Sequence, residues 1–275
     1  GRVPTHRSRP TSTTGAGQAG RACVVVPTYN EHAAALHAQG WDVSIVTDLA
    51  DGAGADLLTV VNPNTPLRDA LTEEGARRAL SLSALGNDYT PTCDILDERA
   101  FVNGIVGLNA TGGSTNLLIH LVAMARAGGI VLDWEDFSEL SDITPLMARV
   151  YPNGLADVNH FHAAGGLGYM IGELLGAGLL HPDTRTVAGQ GLEHYTAEPK
   201  LIGDKLEWQA GAGESLNDRI LRPASDPFQP TGGLKRLSGS LGTGVMKVSA
   251  VAPEHQVVEA PVRVFHDQDA VKQAF

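Results

Sequence analysis

Residues 109–130 read NATGGSTNLLIHLVAMARAGGI. Thr111, Gly112, Gly113, Ser114, Thr115 and Asn116 lead straight into a segment that is apolar on nearly every side from Leu117 to Ala125. Such all-round hydrophobicity predicts a helix buried in a large core, not one laid on its edge. The loop ahead of it admits two readings. Glycines without side-chain bulk let a ligand reach the backbone, and the helix that follows offers unpaired N–H groups and the positive end of its dipole. Thr111, Ser114, Thr115 and Asn116 add donors without charge, which suits a phosphate, a carboxylate or an array of sugar hydroxyls. In the other reading, Gly112 and Gly113 only permit close packing of a buried helix whose N-cap is Ser114.

A second polar cluster follows at 150–166, VYPNGLADVNHFHAAGG. It carries Asn153, Asp157, Asn159, His160 and His162 and ends in another glycine pair ahead of an apolar helix. On an extended segment, histidines two apart share one face. With Asp157 they offer a metal set, and polar substrate contacts or core hydrogen bonding are the competing reading. Two glycine-pair openings, each preceded by Asn, Thr or His, predict two walls of one polar pocket.

Outward from these stretches the chain reads as mixed α/β. ACVVVPTYNEH is a short β-branched run stopped by Pro27, and Trp41 to Leu49 offers a second strand. NPNTPLRDALTEEGARRALSLSAL starts a helix, with Asn64 or Thr65 as N-cap and Pro66 in the first turn. DERAFVNGIVGL predicts another, apolar at Phe101, Val102, Ile105 and Val106. SDITPLMARV and AGGLGYMIGELLGAGLL read as further helices, the latter stopped by Gly178 and Pro182. From Gly232 the texture becomes Gly-punctuated and β-branched, with period-two alternation in VMKVSAV, and HQVVEAPVRVF reads likewise. The expected architecture is an α-rich α/β domain at 61–222, then the start of a β-barrel-like domain at 223–275.

The charge is −11 over 275 residues, which argues against nucleic acid or an anionic membrane as main partner. Residues 1–30 hold Arg2, Arg7, Arg9 and Arg21 and no acid, so they carry +4 and the remainder −15. Within that stretch GRVPTHRSRPTSTTGAGQAGR, residues 1–21, has no hydrophobic periodicity and reads as a disordered tail. Apolar runs are interrupted by His120 and Arg126, short of a bilayer span, and no apolar stretch follows the basic N-terminus as in a signal peptide. Cys23 and Cys93 are the only cysteines, too few for a disulfide framework. A cytoplasmic protein is expected.

These segments also carry a family resemblance. LDERAFVNGIVGLNATGGSTNLLIHLVAMARAGG, DWEDFSELSDITPLMARVYPNG, ADVNHFHAAGG, GLLHPDTRTVAGQGLEHYTAEP and GGLKRLSGSLGTGVMKVSAV resemble the dihydroxy-acid dehydratase/6-phosphogluconate dehydratase family. The similarity runs from VNPNTPLRDALT at residue 61 to residue 275, and the VYPNG and ADVNHFHAAGG segments resemble the 6-phosphogluconate branch. The resemblance implies a hydro-lyase of the Entner–Doudoroff route, turning 6-phospho-D-gluconate into 2-dehydro-3-deoxy-6-phosphogluconate and water. It also implies a [4Fe-4S] cluster as Lewis acid on the departing hydroxyl, a sugar-acid phosphate as the small-molecule partner, and a homodimer. Metal coordination suits this chemistry because hydroxide is a poor leaving group. By helix-terminus chemistry, Thr111–Asn116 with Asn153, Asn159, His160 and His162 are the candidate substrate-binding residues.

The sequence departs from the family pattern at both ends. Neither the cysteine motifs that hold the family's cluster (a Cys-Asp-Gly and a Cys-Thr-Phe-type segment) nor its Thr-Asp-Gly-Arg motif with the catalytic serine occurs here. A cluster needs several converging thiolates, and Cys23 and Cys93 are not expected to supply them. No catalytic residue is assigned and no metal ligand is expected. The expectation is therefore an incomplete form of the enzyme. The alternatives are a non-catalytic remnant that keeps a sugar-acid-phosphate pocket, or a related sugar-acid or dihydroxy-acid dehydratase. Residues 1–60 match the composition of a shifted reading frame. CVVVPTYNEH also resembles the first strand of nucleotide-sugar glycosyltransferases, but sixty residues cannot hold such a domain.

Overall fold

The computed structural model of the protein describes residues 21–25, 42–46, 57–60 and 66–275. The unstructured tail expected at 1–20, the stop at Pro27 and the helix cap at Asn64 or Thr65 lie outside the described residues. The chain forms two compact units, 1–69 and 70–275.

In the first unit, strands β1 (Arg21–Val25), β2 (Asp42–Val46) and β3 (Leu57–Val60) make a parallel sheet in the order β2–β1–β3. Cys23 sits opposite Ser44 on one side and Leu58 on the other. Both expected strands are present. Arg21, read from sequence as part of the tail, is the first residue of β1.

The second unit is helical first. Helix α1 (Pro66–Leu82), which belongs to this unit from Ala70 on, starts at the proline, which lacks the N–H that a first turn leaves unpaired. The short α2 (Thr92–Ile95) leads to α3 (Glu98–Thr111), whose N-cap Asp97 accepts the Ala100 N–H. Helix α3 is the spine. Phe101, Ile105 and Leu108 pack into a cluster with Leu118, Leu121, Phe137 and Leu234, while Val106 and Ala110 join a second cluster with Met147, Met170, Leu174 and Leu221. Burying one such large side chain contributes roughly 1.5–3 kcal/mol.

Helix α4 (Thr115–Ala127) is the apolar segment of the 109–130 stretch. It does not disappear into the core. Leu118, Leu121 and Ala125 form the buried stripe, whereas Ile119 is 61% and Met124 46% exposed. The spacing of those three residues is a single helix face, and hydrophobicity on the remaining faces did not decide burial. Helix α5 (Trp134–Ile143) has a reciprocal cap, Asp133 accepting from Glu135 and Asp136 N–H while Asp136 accepts from Asp133 N–H.

The helix expected in SDITPLMARV stops at Ile143, because Pro145 lacks the N–H a helix interior needs. The chain runs extended instead. Leu146 N–H reaches Gln229 O, Met147 and Ala148 N–H share Ala110 O, and Arg149 N–H reaches Ile220 O. Leu146, Met147 and Ala148 are fully buried. This ribbon carries residues 151–153 to the C-terminus of α3. Helices α6 (Val158–Ala163) and α7 (Gly166–Gly176) follow, and α7 ends ahead of Gly178, whose φ of +71° breaks the helix.

The remainder is hairpins: β4 (Arg185–Thr186) with β5 (Gly189–Gln190), β6 (Ala197–Ile202) with β7 (Lys205–Ala210), and β8 (Leu234–Gly239) with β9 (Gly242–Lys247). The alternation from Gly232 produces the last of these. HQVVEAPVRVF forms no strand: Val257, Val258, Val262 and Val264 are exposed, with no strand among the described residues paired to them. A final helix α8 spans Gln268–Ala274. The fold is mixed α/β, and no closed barrel is formed among the described residues. Packing continues across the junction expected at 222–230: Arg222 N–H bonds to Met147 O, and Leu221 and Leu234 are both fully buried.

Candidate functional site

The glycines of the opening loop finish α3. Gly112 takes the left-handed conformation at φ +56°, and its N–H bonds to Asn109 O. Gly113 N–H bonds to Leu108 O at 2.9 Å. Both glycine amides thus close α3 and do not face a ligand. Ser114 is the N-cap of α4, its Oγ accepting Asn116 N–H at 3.2 Å. Thr111 Oγ donates back to Gly107 O at 2.8 Å, leaving its oxygen as an acceptor. Thr115, at the first helical position of α4, has no intrahelical acceptor for its N–H.

The 146–150 ribbon brings the second polar segment against this loop. Asn153 Nδ2 donates to Gly112 O at 2.7 Å and Thr111 O at 3.3 Å, and its Oδ1 accepts Ser249 Oγ–H at 2.9 Å. One side chain therefore ties the α3–α4 turn to the segment after β9. Beside it opens a cavity of about 470 Å³. It is lined by Thr111, Gly112, Gly113, Ser114 and Thr115, by Ala148, Val150, Tyr151, Pro152, Val158 and Phe161, and by Lys247. Burial pushes the Lys247 ammonium below the usual lysine range.

The expected two-walled pocket is therefore formed in part. Thr111–Thr115 and the 150–161 segment do face each other, with Asn153 bridging behind them. Asn116, Asn159, His160 and His162 are exposed and do not line the cavity. The histidines lie on α6, not on an extended segment, so a separation of two puts them on different faces. Asp157 caps that helix, accepting Asn159 N–H at 2.9 Å and His160 N–H at 3.0 Å, while His160 Nδ1 turns back to Asp157. Hydrogen bonds from the His160 amide, with the imidazole beside them, hold the Asp157 carboxyl below the usual aspartate range. Asp157 and His160 thus bond to each other as an exposed helix cap, which is neither a metal set nor the core hydrogen bonding that competed with it. Lys247 was not singled out from sequence; a lone lysine at the end of an alternating run carries no pattern of its own.

The matches with known proteins fall on these same elements. The family model for the dihydroxy-acid/6-phosphogluconate dehydratase N-terminal region matches residues 54–195, and that for the C-terminal region matches 219–275. The chain belongs to this family. The phosphogluconate dehydratase of Rhizobium meliloti is 58% identical over 216 residues, covering 78% of this chain and 36% of that protein. That of Pseudomonas aeruginosa is 58% identical over 215 residues, covering 78% and 35%. The dihydroxy-acid dehydratase of Sulfurisphaera tokodaii is 38% identical over 178 residues, covering 64% and 30%. The matched part of the chain spans about a third of the length of these relatives. The resemblance read from sequence, including its lean toward the 6-phosphogluconate branch, agrees with these matches. The family match begins at residue 54, a little before the resemblance read at 61.

Family membership implies an iron–sulfur cofactor. The residues of this chain do not fit one. Its two cysteines are Cys23, on β1, and Cys93, exposed on α2. Among the described residues, no three His, Cys, Asp or Glu side chains converge as a metal set. Cluster iron takes several thiolates, and this donor set does not provide them. No helix among the described residues is long and apolar enough to cross a membrane.

Proposed function

We propose that this chain holds the substrate of a hydro-lyase that dehydrates 6-phospho-D-gluconate to 2-dehydro-3-deoxy-6-phosphogluconate, in the cytoplasm. One observation carries the reading. The cavity at the N-terminus of α4 sets the Thr111–Thr115 turn against residues of the VYPNG and ADVNHFHAAGG segments, which resemble the 6-phosphogluconate branch, and relatives 58% identical to this chain are named phosphogluconate dehydratases.

Within that reaction the chain's own residues bind and orient. The Thr115 N–H and the Ser114 and Thr115 hydroxyls donate to an anionic or hydroxylated end of the sugar acid, with the α4 dipole behind them. Tyr151, Pro152, Val158 and Phe161 give the cavity an apolar wall that thins the water around the bound end. The four-iron cluster implied by the phosphogluconate branch would supply the Lewis acid for the departing hydroxyl. The donors of this chain do not fit that cluster.

The reading is tested by titrating the full chain with 6-phosphogluconate and following backbone amide shifts, with a nucleotide sugar as competitor. Saturable shifts centred on residues 111–115 are expected. Preference for the nucleotide sugar, or no saturable shift, would overturn it. Iron and acid-labile sulfide per chain after anaerobic reconstitution, with turnover on the same sample, then separates two forms of the reading. Binding without iron or turnover marks a module that holds substrate; cluster with turnover marks a complete enzyme.

A further inference from the structure

We propose that Lys247 is the anion-binding residue of this cavity, taking the phosphate or carboxylate end of the sugar acid against the N-terminus of α4. The inference rests on the reading above and adds a residue and a charge to it. Of the described residues that line the cavity, Lys247 alone is charged; the others are hydroxyl-bearing, glycine or apolar, and no carboxylate is among them. No acidic side chain forms an ion pair with Lys247 among the described residues. A partly buried ammonium without a counter-charge is costly, and an anion from solution relieves that cost.

Its place is fixed from both sides. Lys247 ends β9 and pairs in register with Leu234, which is fully buried in the α3–α4–α5 cluster. Two residues on, Ser249 donates to Asn153, which in turn holds the Thr111 and Gly112 carbonyls. The lysine is therefore carried on a strand end that is bolted to the glycine turn it shares the cavity with. Ser114 and Thr115 lie on another part of the same lining, so a bound anion meets a full positive charge and a helix dipole together. The cavity volume lies in the roughly 300–1,000 Å³ range of small-molecule sites.

The test measures dissociation constants for 6-phosphogluconate, gluconate and inorganic phosphate on the full chain, wild type and Lys247→Met. Lys247→Arg is the conservative variant, and Lys205→Met, on the exposed β7, is the control for general charge loss. Lys247→Met should weaken 6-phosphogluconate at least about tenfold at an unchanged melting temperature. Lys247→Arg should keep most of the affinity and Lys205→Met all of it. A loss shared with inorganic phosphate assigns Lys247 to the phosphate end, and a loss shared with gluconate alone assigns it to the carboxylate end. If wild type binds 6-phosphogluconate and Lys247→Met binds equally well, the inference fails while the proposed function stands. If wild type binds none of the three, the proposed function itself fails. Should Lys247→Met not fold, Lys247→Arg and Lys247→Gln, compared at rising salt, give the same comparison.

Discussion

At Gly233 the chain has no room for a methyl group. A Cβ there would lie 2.7 Å from the Cα of Gly112 and 2.8 Å from Ser249 Oγ. Gly233→Ala should therefore lower stability by about 1–3 kcal/mol, the usual penalty of overpacking. Gly107, inside α3 with nothing within 4 Å of an added Cβ, is the contrast. Gly107→Ala should raise stability by about 0.5–1 kcal/mol through helix propensity alone. Urea denaturation of the pair checks this, and equal effects would mean that the Gly112–Gly233 approach is not tight. The two glycines also show what one residue can disclose. Gly112 was legible as a conformational device because its neighbours, Asn109 to Asn116, surround it in sequence. Its positive φ serves α3, though, and the donors proposed to meet a ligand are the next residues along. The need for glycine at 233 comes from a backbone met only after folding, and no local pattern announces it.

Among the elements, helix α6 shows how a sequence signal can be sound in composition and wrong in geometry. Its histidine pair was read on an extended period of two. Asp157 instead starts a helix, and the i, i+3 relation between Asp157 and His160 is a cap, not half a metal site. The Asp157 carboxyl is held below its ordinary value chiefly by the His160 amide. The unfolded chain thus binds that proton at higher pH than the folded one. The stabilisation is present above the unfolded value near pH ~3.9 and is lost as pH falls through the lower folded value. Asp157→Ala should cost about 0.5–2 kcal/mol at pH 7. That difference should shrink below pH ~4, while Asp157→Asn, which caps without titrating, should lose less. A pH series of chemical denaturation midpoints reads both. The β-hairpins give the opposite case, in which alternation correctly announced β8 and β9. It misled at 255–265 because a strand is completed by a neighbour, and none is present among the described residues to pair with it. Hydrogen exchange should accordingly split the region. The base of β8, where Leu234 is buried and Lys235 and Arg236 pair with Asp142 and Glu135, should be protected. Amides of 257–265 should exchange at once, and uniform protection across 232–265 would refute this.

Taken as a whole molecule, the chain concentrates its site in one of its two compact units. Every residue lining the cavity, and the Asn153–Ser249 link behind it, lies between 111 and 249, inside the unit of residues 70–275. From sequence the chain divides by charge near residue 30, with four arginines and no acid before it, and by texture near 60 and 222. The sequence did not foretell that Arg21–Val25 and Asp42–Val46 flank one another in a parallel sheet, because strand pairing depends on connections that local propensity does not encode. If cohesion of the second unit comes from the two clusters around α3, the first unit adds nothing to the cavity. A chain beginning at Pro66 should then unfold with the same main transition as the full chain and bind 6-phosphogluconate with the same dissociation constant. Calorimetry and titration on the two proteins compare them directly. A lost transition would place part of the core's stability in residues 1–65. A retained transition with lost binding would mean that the first unit contributes to the site, and that the cavity beside α4 is not where the ligand is held.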